Sequence, residues 1–336
     1  MTTKEYFENL LNKINLKLGD DERAFIEEKQ NALREKLREK LPLQDDFLTG
    51  SYKRHTIIKP KDDGEKFDVD VFVAFDNGDY EDTDLSDLRK IVIGALHEIN
   101  AENPDLGITA IDEEQRRSVG VEFGNNFQID IVPSIQIEVD KLYKIFDRHT
   151  LEAVRSNPKL HGELLSKANE NNGGLLVPLI KILKGWKREK CDYVKSFHIE
   201  LMAVKIFTGK SIESIPSGLA VFFESASGYF EKAGLKDPAN DEMLIDEYLD
   251  NDGTRDEICA LIETEKAVSK AAMEAENAGK EEEAVKEWDK VFADSEAKTA
   301  KAIREGSFYA GASGAVVKAN TSQNERRINS PKSWKQ

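Results

Sequence analysis

The chain has 336 residues, 39% hydrophobic and 33% charged, with 48 Lys and Arg against 64 Asp and Glu and a net charge of −16. That is room for two ordinary domains with a soluble, globular composition rather than a disordered one. It argues against a protein whose main task is gripping duplex DNA, which needs an excess of Lys and Arg, although a local basic groove is still allowed.

From Lys4 to about Leu41 the apolar residues fall at helical spacing: Phe7, Leu10, Leu11 and Ile14, then Phe25, Ile26, Leu33, Leu37 and Leu41. The opening stretch therefore reads as an amphipathic helix rather than a signal peptide, and Pro42 marks its stop. The period then changes to two. In FDVDVFVAF, residues 67–75, Val69, Val71 and Val73 point to one side of a strand, and Asp68, Asp70 and Phe72 to the other. A helix is expected from Leu85 to Ile99. Two short strands follow, SVGVEF (118–123) and FQIDIV (127–132), joined by a hairpin turn at Gly124-Asn125-Asn126 and closed by Pro133. From about Leu142 the pattern is almost entirely helical, clearest over 175–189 and 196–207, then from Gly218 to Ala233 and from Arg255 to about Ala302. The tail from Gly306 is rich in Gly, Ala, Ser, Asn and Arg and is expected to be flexible. No apolar run approaches the ~20 residues of a membrane span. Two cysteines, Cys191 and Cys259, form neither a zinc ribbon nor a disulfide framework, so a cytoplasmic location without a membrane partner is expected.

The chemistry lies in the carboxylates. Asp68 and Asp70 are two apart on a strand and leave the same face. Asp130 sits in another strand between Ile129 and Ile131, where an acid is costly to bury without a partner. Three carboxylates converging from neighbouring strands make an oxygen cage for Mg²⁺. Two such ions about 3.5–4 Å apart can activate a hydroxyl and steady a leaving pyrophosphate. D-x-D alone is weak evidence in a chain with 64 acids, and Asp82 with Asp84 makes another in a loop. Ahead of the strand, FLTGSYKRHT puts Gly50-Ser51 at a helical turn, where backbone N–H groups and a hydroxyl meet a phosphate; the bland alternative is a plain helix cap.

In combination these residues resemble the polymerase-β-like nucleotidyltransferase signature: Gly50-Ser51, Asp68-Val69-Asp70 and a distant third acid, Asp130. GSYKRHTIIKP, DVDVFV, VEFGNNFQIDIVPSI and LVPLIKILKGWKRE…KSFHIELM are similar to the CD-NTases (cGAS/DncV-like, or SMODS, enzymes) over roughly residues 40–300. The resemblance implies an α+β, bilobed fold. Residues 1–145 would be the catalytic lobe with a long N-terminal helix, 146–305 a helical nucleotide-binding lobe and 306–336 the tail. It also implies synthesis of cyclic di- or trinucleotides from NTPs, ATP among them, in bacterial anti-phage (CBASS-type) signalling. Asp68, Asp70 and Asp130 would hold two Mg²⁺ (or Mn²⁺) ions. Gly50 and Ser51 would bind the donor triphosphate with Lys181 and Lys184, which lie three apart on one helix face. Ser196 would touch phosphate and Phe197 stack on the base. An activator protein and a downstream effector reached through the product are the partners it implies.

The bland readings are a solvated lysine face and a core phenylalanine. His55 and the charged loop 59–66 depart from the commonest family pattern without removing a carboxylate. His97, His149, His161 and His198 lack metal-ligand spacing, and for His198 a structural hydrogen bond is expected. Glu281-Glu282-Glu283 reads as a solvated helix face, and Trp288 with Phe292 as packing. Competing readings are an untemplated transferase making linear oligonucleotides or modifying RNA or protein, a catalytically silent nucleotide-binding regulator, and a helical adaptor. The adaptor leaves Ile129-Asp130-Ile131 unexplained.

Overall fold

The computed structural model describes residues 1–61, 65–80, 83–124, 126–138, 142–250 and 253–292, together with 308–310 and 316–318. Of the expected tail, only the two short strands at 308–310 and 316–318 are described. Arg326-Arg327, Asn125, Asp82 and the 293–302 end of the expected last helix lie outside the described residues.

The N-terminal helix is two helices, α1 (Thr3–Ile14) and α2 (Asp20–Lys40). Asn15 is extended, Lys59 N–H donates to Ile14 O at 2.8 Å, and Gly19 opens α2, so a passing loop takes the place of a continuous helical ladder. The two helices serve different cores. Phe7 and Ile14 of α1 join a helical core, with the Phe7 ring 5.3 Å from Trp288 and 5.7 Å from Phe292. Ile26, Leu33 and Leu37 of α2 pack on a sheet.

That sheet has seven strands: β1 (Leu43–Thr49), β2 (Phe67–Asp76), β3 (Ile108–Asp112), β4 (Val119–Phe123), β5 (Phe127–Glu138), β6 (Leu142–Asp147) and β7 (Glu152–Ser156). The path runs β1-β2-β5-β4-β3, with β6 and β7 continuing from β5. Among the described residues, only β2 and β5 pair in parallel. Short helices α3 (Gly50–Lys53) and α4 (Asn77–Tyr80) flank β2, and α5 (Leu85–Glu102) packs beneath it. Pro133 does not end β5. It falls where the neighbour changes: the β4 ladder reaches Ile131 and the β6 ladder begins at Ser134, the place where a missing N–H is best tolerated.

The expected helical run from Leu142 is also corrected. LYKIFD buries Tyr143, Ile145 and Asp147 in alternation and forms β6, so the expected divide at 145/146 cuts a strand. The helices follow: α6 (Pro158–Asn171), α7 (Leu176–Lys190), α8 (Ser196–Phe207), α9 (Ile215–Lys232), α10 (Thr254–Asn277) and α11 (Glu281–Phe292). α10 and α11 were expected as one helix. Gly279, at φ 72°, supplies the left-handed turn between them. Glu281 is no idle surface acid: its carboxylate accepts from Thr3 N at 2.7 Å and Thr3 Oγ1 at 2.8 Å, tying the start of α11 to the start of α1. No helix among the described residues is long and apolar enough to cross a membrane.

Candidate active site

Strand register builds the centre of the site. On β2, Val69, Val71 and Val73 are fully buried, which turns Asp68 and Asp70 to the opposite face. The parallel ladder sets Asp70 beside Asp130 and Asp68 beside Gln128. One carboxylate oxygen from each of Asp68, Asp70 and Asp130 lies within 4.8 Å of the other two. The turn from β1 into α3 closes over them. Gly50 has φ 71°, and a Cβ there would stand 1.6 Å from Asp70 Oδ2 and 2.4 Å from its Cγ. Only glycine permits both the conformation and the approach.

Burial, then the charges of Asp68 and Asp130, push Asp70 well above the ordinary carboxylate range, and Arg54 opposes them. Burial and the Asp68 charge push Asp130 up to about 7, against hydrogen bonds from Gln115 and Gln128. Three hard oxygen donors with an excess of negative charge, and neither sulfur nor imidazole among them, fit a cation such as Mg²⁺ or Mn²⁺.

Beside the acids opens a cavity of about 860 Å³, lined by Gly50 and Ser51 from α3, Lys184 and Lys187 from α7, and Ser196 and Phe197 from α8. Lys184 is buried and donates to Glu200 Oε1 at 2.9 Å and Thr56 O at 3.0 Å. Glu200, also buried, accepts from Arg54 Nε at 2.9 Å and from Thr56 Oγ1 at 2.8 Å. Burial alone would raise this carboxyl; Lys184 and Arg54 outweigh it and hold it below its ordinary value. Because Arg54 follows α3 and Glu200 belongs to α8, this network joins the two walls of the cavity. Arg54 lies 5.6 Å over the Phe197 ring, and His161 packs on the same ring at 5.0 Å.

Of the residues expected at the site, the structure gathers Gly50, Ser51, Asp68, Asp70, Lys184, Ser196 and Phe197 around the cavity, with Asp130 beside Asp70. Lys181 is placed elsewhere. It donates to Asn15 Oδ1 at 3.0 Å, toward the α1–α2 break, and does not line the cavity. Lys187, one turn further along α7, does line it, half-buried, with its ammonium lowered by burial and by Lys184 among its neighbours. His55 adopts a left-handed turn (φ 59°) outside the cavity lining. His198 makes its expected structural bond, 3.0 Å to the Tyr248 hydroxyl, and burial lowers it to about 4.

The sequence reading missed Arg54, Glu200, Lys187, Gln115 and Gln128. Three of them carried a signal: Lys187 is three residues after Lys184 on one helix. Glu200 is four residues after Ser196 and three after Phe197, hence on their helix face, and Gln128 is two before Asp130, on its strand face. Gln115 carried none, because it reaches Asp130 from the loop before β4.

The mixed sheet with its carboxylate trio and the helices that follow it match the polymerase-β-like nucleotidyltransferase fold. A family model described as "Second Messenger Oligonucleotide or Dinucleotide Synthetase domain" (SMODS) matches residues 1–169, just over half of the chain, and the chain belongs to that family. A cyclic AMP-AMP-AMP synthase of an Acinetobacter species is 33% identical over 165 residues, 47% of this chain and 45% of that one. A cyclic GMP-AMP synthase of Escherichia albertii is 24% identical over 230 residues, 65% of this chain and 50% of that one. The chain thus spans about half the length of these two relatives. The Escherichia coli MS115-1 CdnC structure with ATP superposes with a TM-score of 0.66 at 20% identity, covering 87% of this chain and 98% of CdnC. The same protein in complex with HORMA-deltaN gives 0.65 at 20% identity, covering 87% and 97%. At that identity the likeness establishes the fold.

Proposed function

We propose that this protein is a cyclic oligonucleotide synthase, joining NTPs, ATP among them, into a cyclic di- or trinucleotide with release of pyrophosphate, in CBASS-type anti-phage signalling in the bacterial cytoplasm. The observation that carries the reading is the gathering of Asp68, Asp70 and Asp130 at the wall of a cavity large enough for a nucleotide. Family membership and the names of the two synthase relatives support it.

Two divalent ions, Mg²⁺ or Mn²⁺, held by the three aspartates would supply Lewis acidity at the α-phosphate and charge neutralisation for the departing pyrophosphate. The chain's own groups do the rest. Gly50 and the Ser51 hydroxyl receive the donor triphosphate together with Lys184, Lys187 and Ser196, which line the same cavity. Phe197, held by Arg54 and His161, offers a face to the base, a contact contributing roughly 1–3 kcal/mol. A ribose hydroxyl of the acceptor forms the new P–O bond as the bond to pyrophosphate breaks in line, and its proton passes to an oxygen of Asp130. The linear product then turns, and its free hydroxyl closes the ring in the same way.

The test is incubation of the purified protein with Mg²⁺ and radiolabelled NTPs, singly and in pairs, followed by phosphatase and mass spectrometry. Phosphatase-resistant rings are expected. Phosphatase-sensitive chains would replace this reading with a linear oligonucleotide transferase. Because the CdnC relative is seen with a HORMA partner, a second arm adds the candidate partner protein. No pyrophosphate in either arm would favour a silent nucleotide-binding regulator.

A further inference from the structure

Asp130 differs from the other two acids in how the protein holds it. The Gln115 side-chain amide donates to Asp130 Oδ1 at 3.1 Å, and the Gln128 amide donates to the same oxygen at 3.0 Å. Among the described residues, no hydrogen bond reaches Oδ2. The direction of the Gln115 amide is itself fixed: the Ser118 hydroxyl donates to Gln115 Oε1 at 2.6 Å, which leaves the nitrogen to face the carboxylate. Space for this arrangement comes from Gly120, the residue of β4 paired with Asp130. A Cβ at Gly120 would stand 2.6 Å from Gln115 Nε2 and 3.2 Å from its Cδ.

We infer that Gln115 and Gln128 form an amide clamp that occupies one oxygen of Asp130 and turns the other toward the cation site; both are positioning residues acting through Asp130. The inference rests on the metal-site reading above and adds how the third ligand is aimed. A carboxylate hung on a strand by its Cβ rotates freely about χ2, whereas two donors converging on one oxygen select one rotation. Outer partners of this kind typically account for 10–100-fold in metal affinity.

The probe is Mn²⁺ titrated into the full-length protein without nucleotide and followed by electron paramagnetic resonance, with thermal melting in the absence of metal as the control. Gln115→Leu and Gln128→Leu should each weaken Mn²⁺ binding about tenfold. Gly120→Ala, which removes no polar group and presses chiefly on the Gln115 amide, with the Asp112 Cβ 3.3 Å away, should weaken it in the same direction. A merely structural glutamine would lower the melting temperature and leave the Mn²⁺ affinity of the folded protein unchanged. Unchanged affinity in all three variants overturns the clamp while leaving the metal site standing. Failure of the wild-type protein to bind Mn²⁺ any better than Asp130→Asn overturns the metal reading and the clamp with it.

Discussion

Glu200 and the pair Asp70 and Asp130 are acids of one cleft, and burial presses on all three, yet Glu200 and the pair end in opposite states. Glu200 is met by Arg54, Lys184 and the Thr56 hydroxyl, so its charge is supported and its proton is lost more readily than usual. Asp70 is met chiefly by the charges of Asp68 and Asp130, and burial with the Asp68 charge outweighs two glutamine amides at Asp130, so both protons are held more tightly. What separates the clusters is the sign of the nearest charges rather than depth. One network is complete and joins the cavity walls. The other is a concentration of like charge whose three oxygens could hold a cation.

The largest effect expected is from Asp68→Ala with Asp70→Ala. Product formation should fall by at least about 10³-fold, the scale lost when transition-state charge is no longer stabilised. The melting temperature of the metal-free protein should rise, because repulsion has been removed. A fall in melting temperature would break the comparison. Glu200→Ala should do the reverse. Leaving Lys184 buried and Arg54 half-buried without their carboxylate costs about 3–5 kcal/mol, read by urea denaturation, and an unchanged midpoint would show the network to be incidental.

The pH dependence sharpens the contrast. Asp130 titrates at about 7 in the folded protein against an ordinary value of 3.8. A group raised by folding stabilises the fold while protonated, so its contribution is full below the ordinary value and is lost as pH climbs through about 7. Mg²⁺ needs the ionised form, so the rise in melting temperature on adding Mg²⁺ should grow across the same interval. Glu200 is lowered, so its contribution is present above its ordinary value of 4.5 and disappears only in acid. Melting curves with and without Mg²⁺ at several pH values read both. The smallest effect is at the cavity lining. Lys187→Ala should weaken NTP binding about tenfold, the loss of one charge-assisted contact, while Lys181→Ala should leave it unchanged. Equal losses would return Lys181 to the site.

Much of this was legible in the chain. The alternation in 67–75 turned Asp68 and Asp70 to one face, and Asp130 announced itself as an acid between two isoleucines. The bounds of α8 were read correctly because its apolar residues are dense and periodic. β1 was not read, because Asp45 and Asp46 interrupt its pattern; Arg34 and Arg38 of α2 bind Asp46 and make that strand tenable. β6 showed its alternation, but it was taken into the helical region that follows.

Sequence by itself determined which residue types were available and which strand or helix face each one occupied, since backbone periods of 2 and 3.6 are local properties. The parallel register that sets Asp70 beside Asp130, the close pass of Gly50 over Asp70, and the choice of Lys184 and Lys187 over Lys181 were decided only in the tertiary structure. Each depends on how separately formed elements dock, and docking is settled by packing and charge between residues far apart in the chain, which no local pattern encodes.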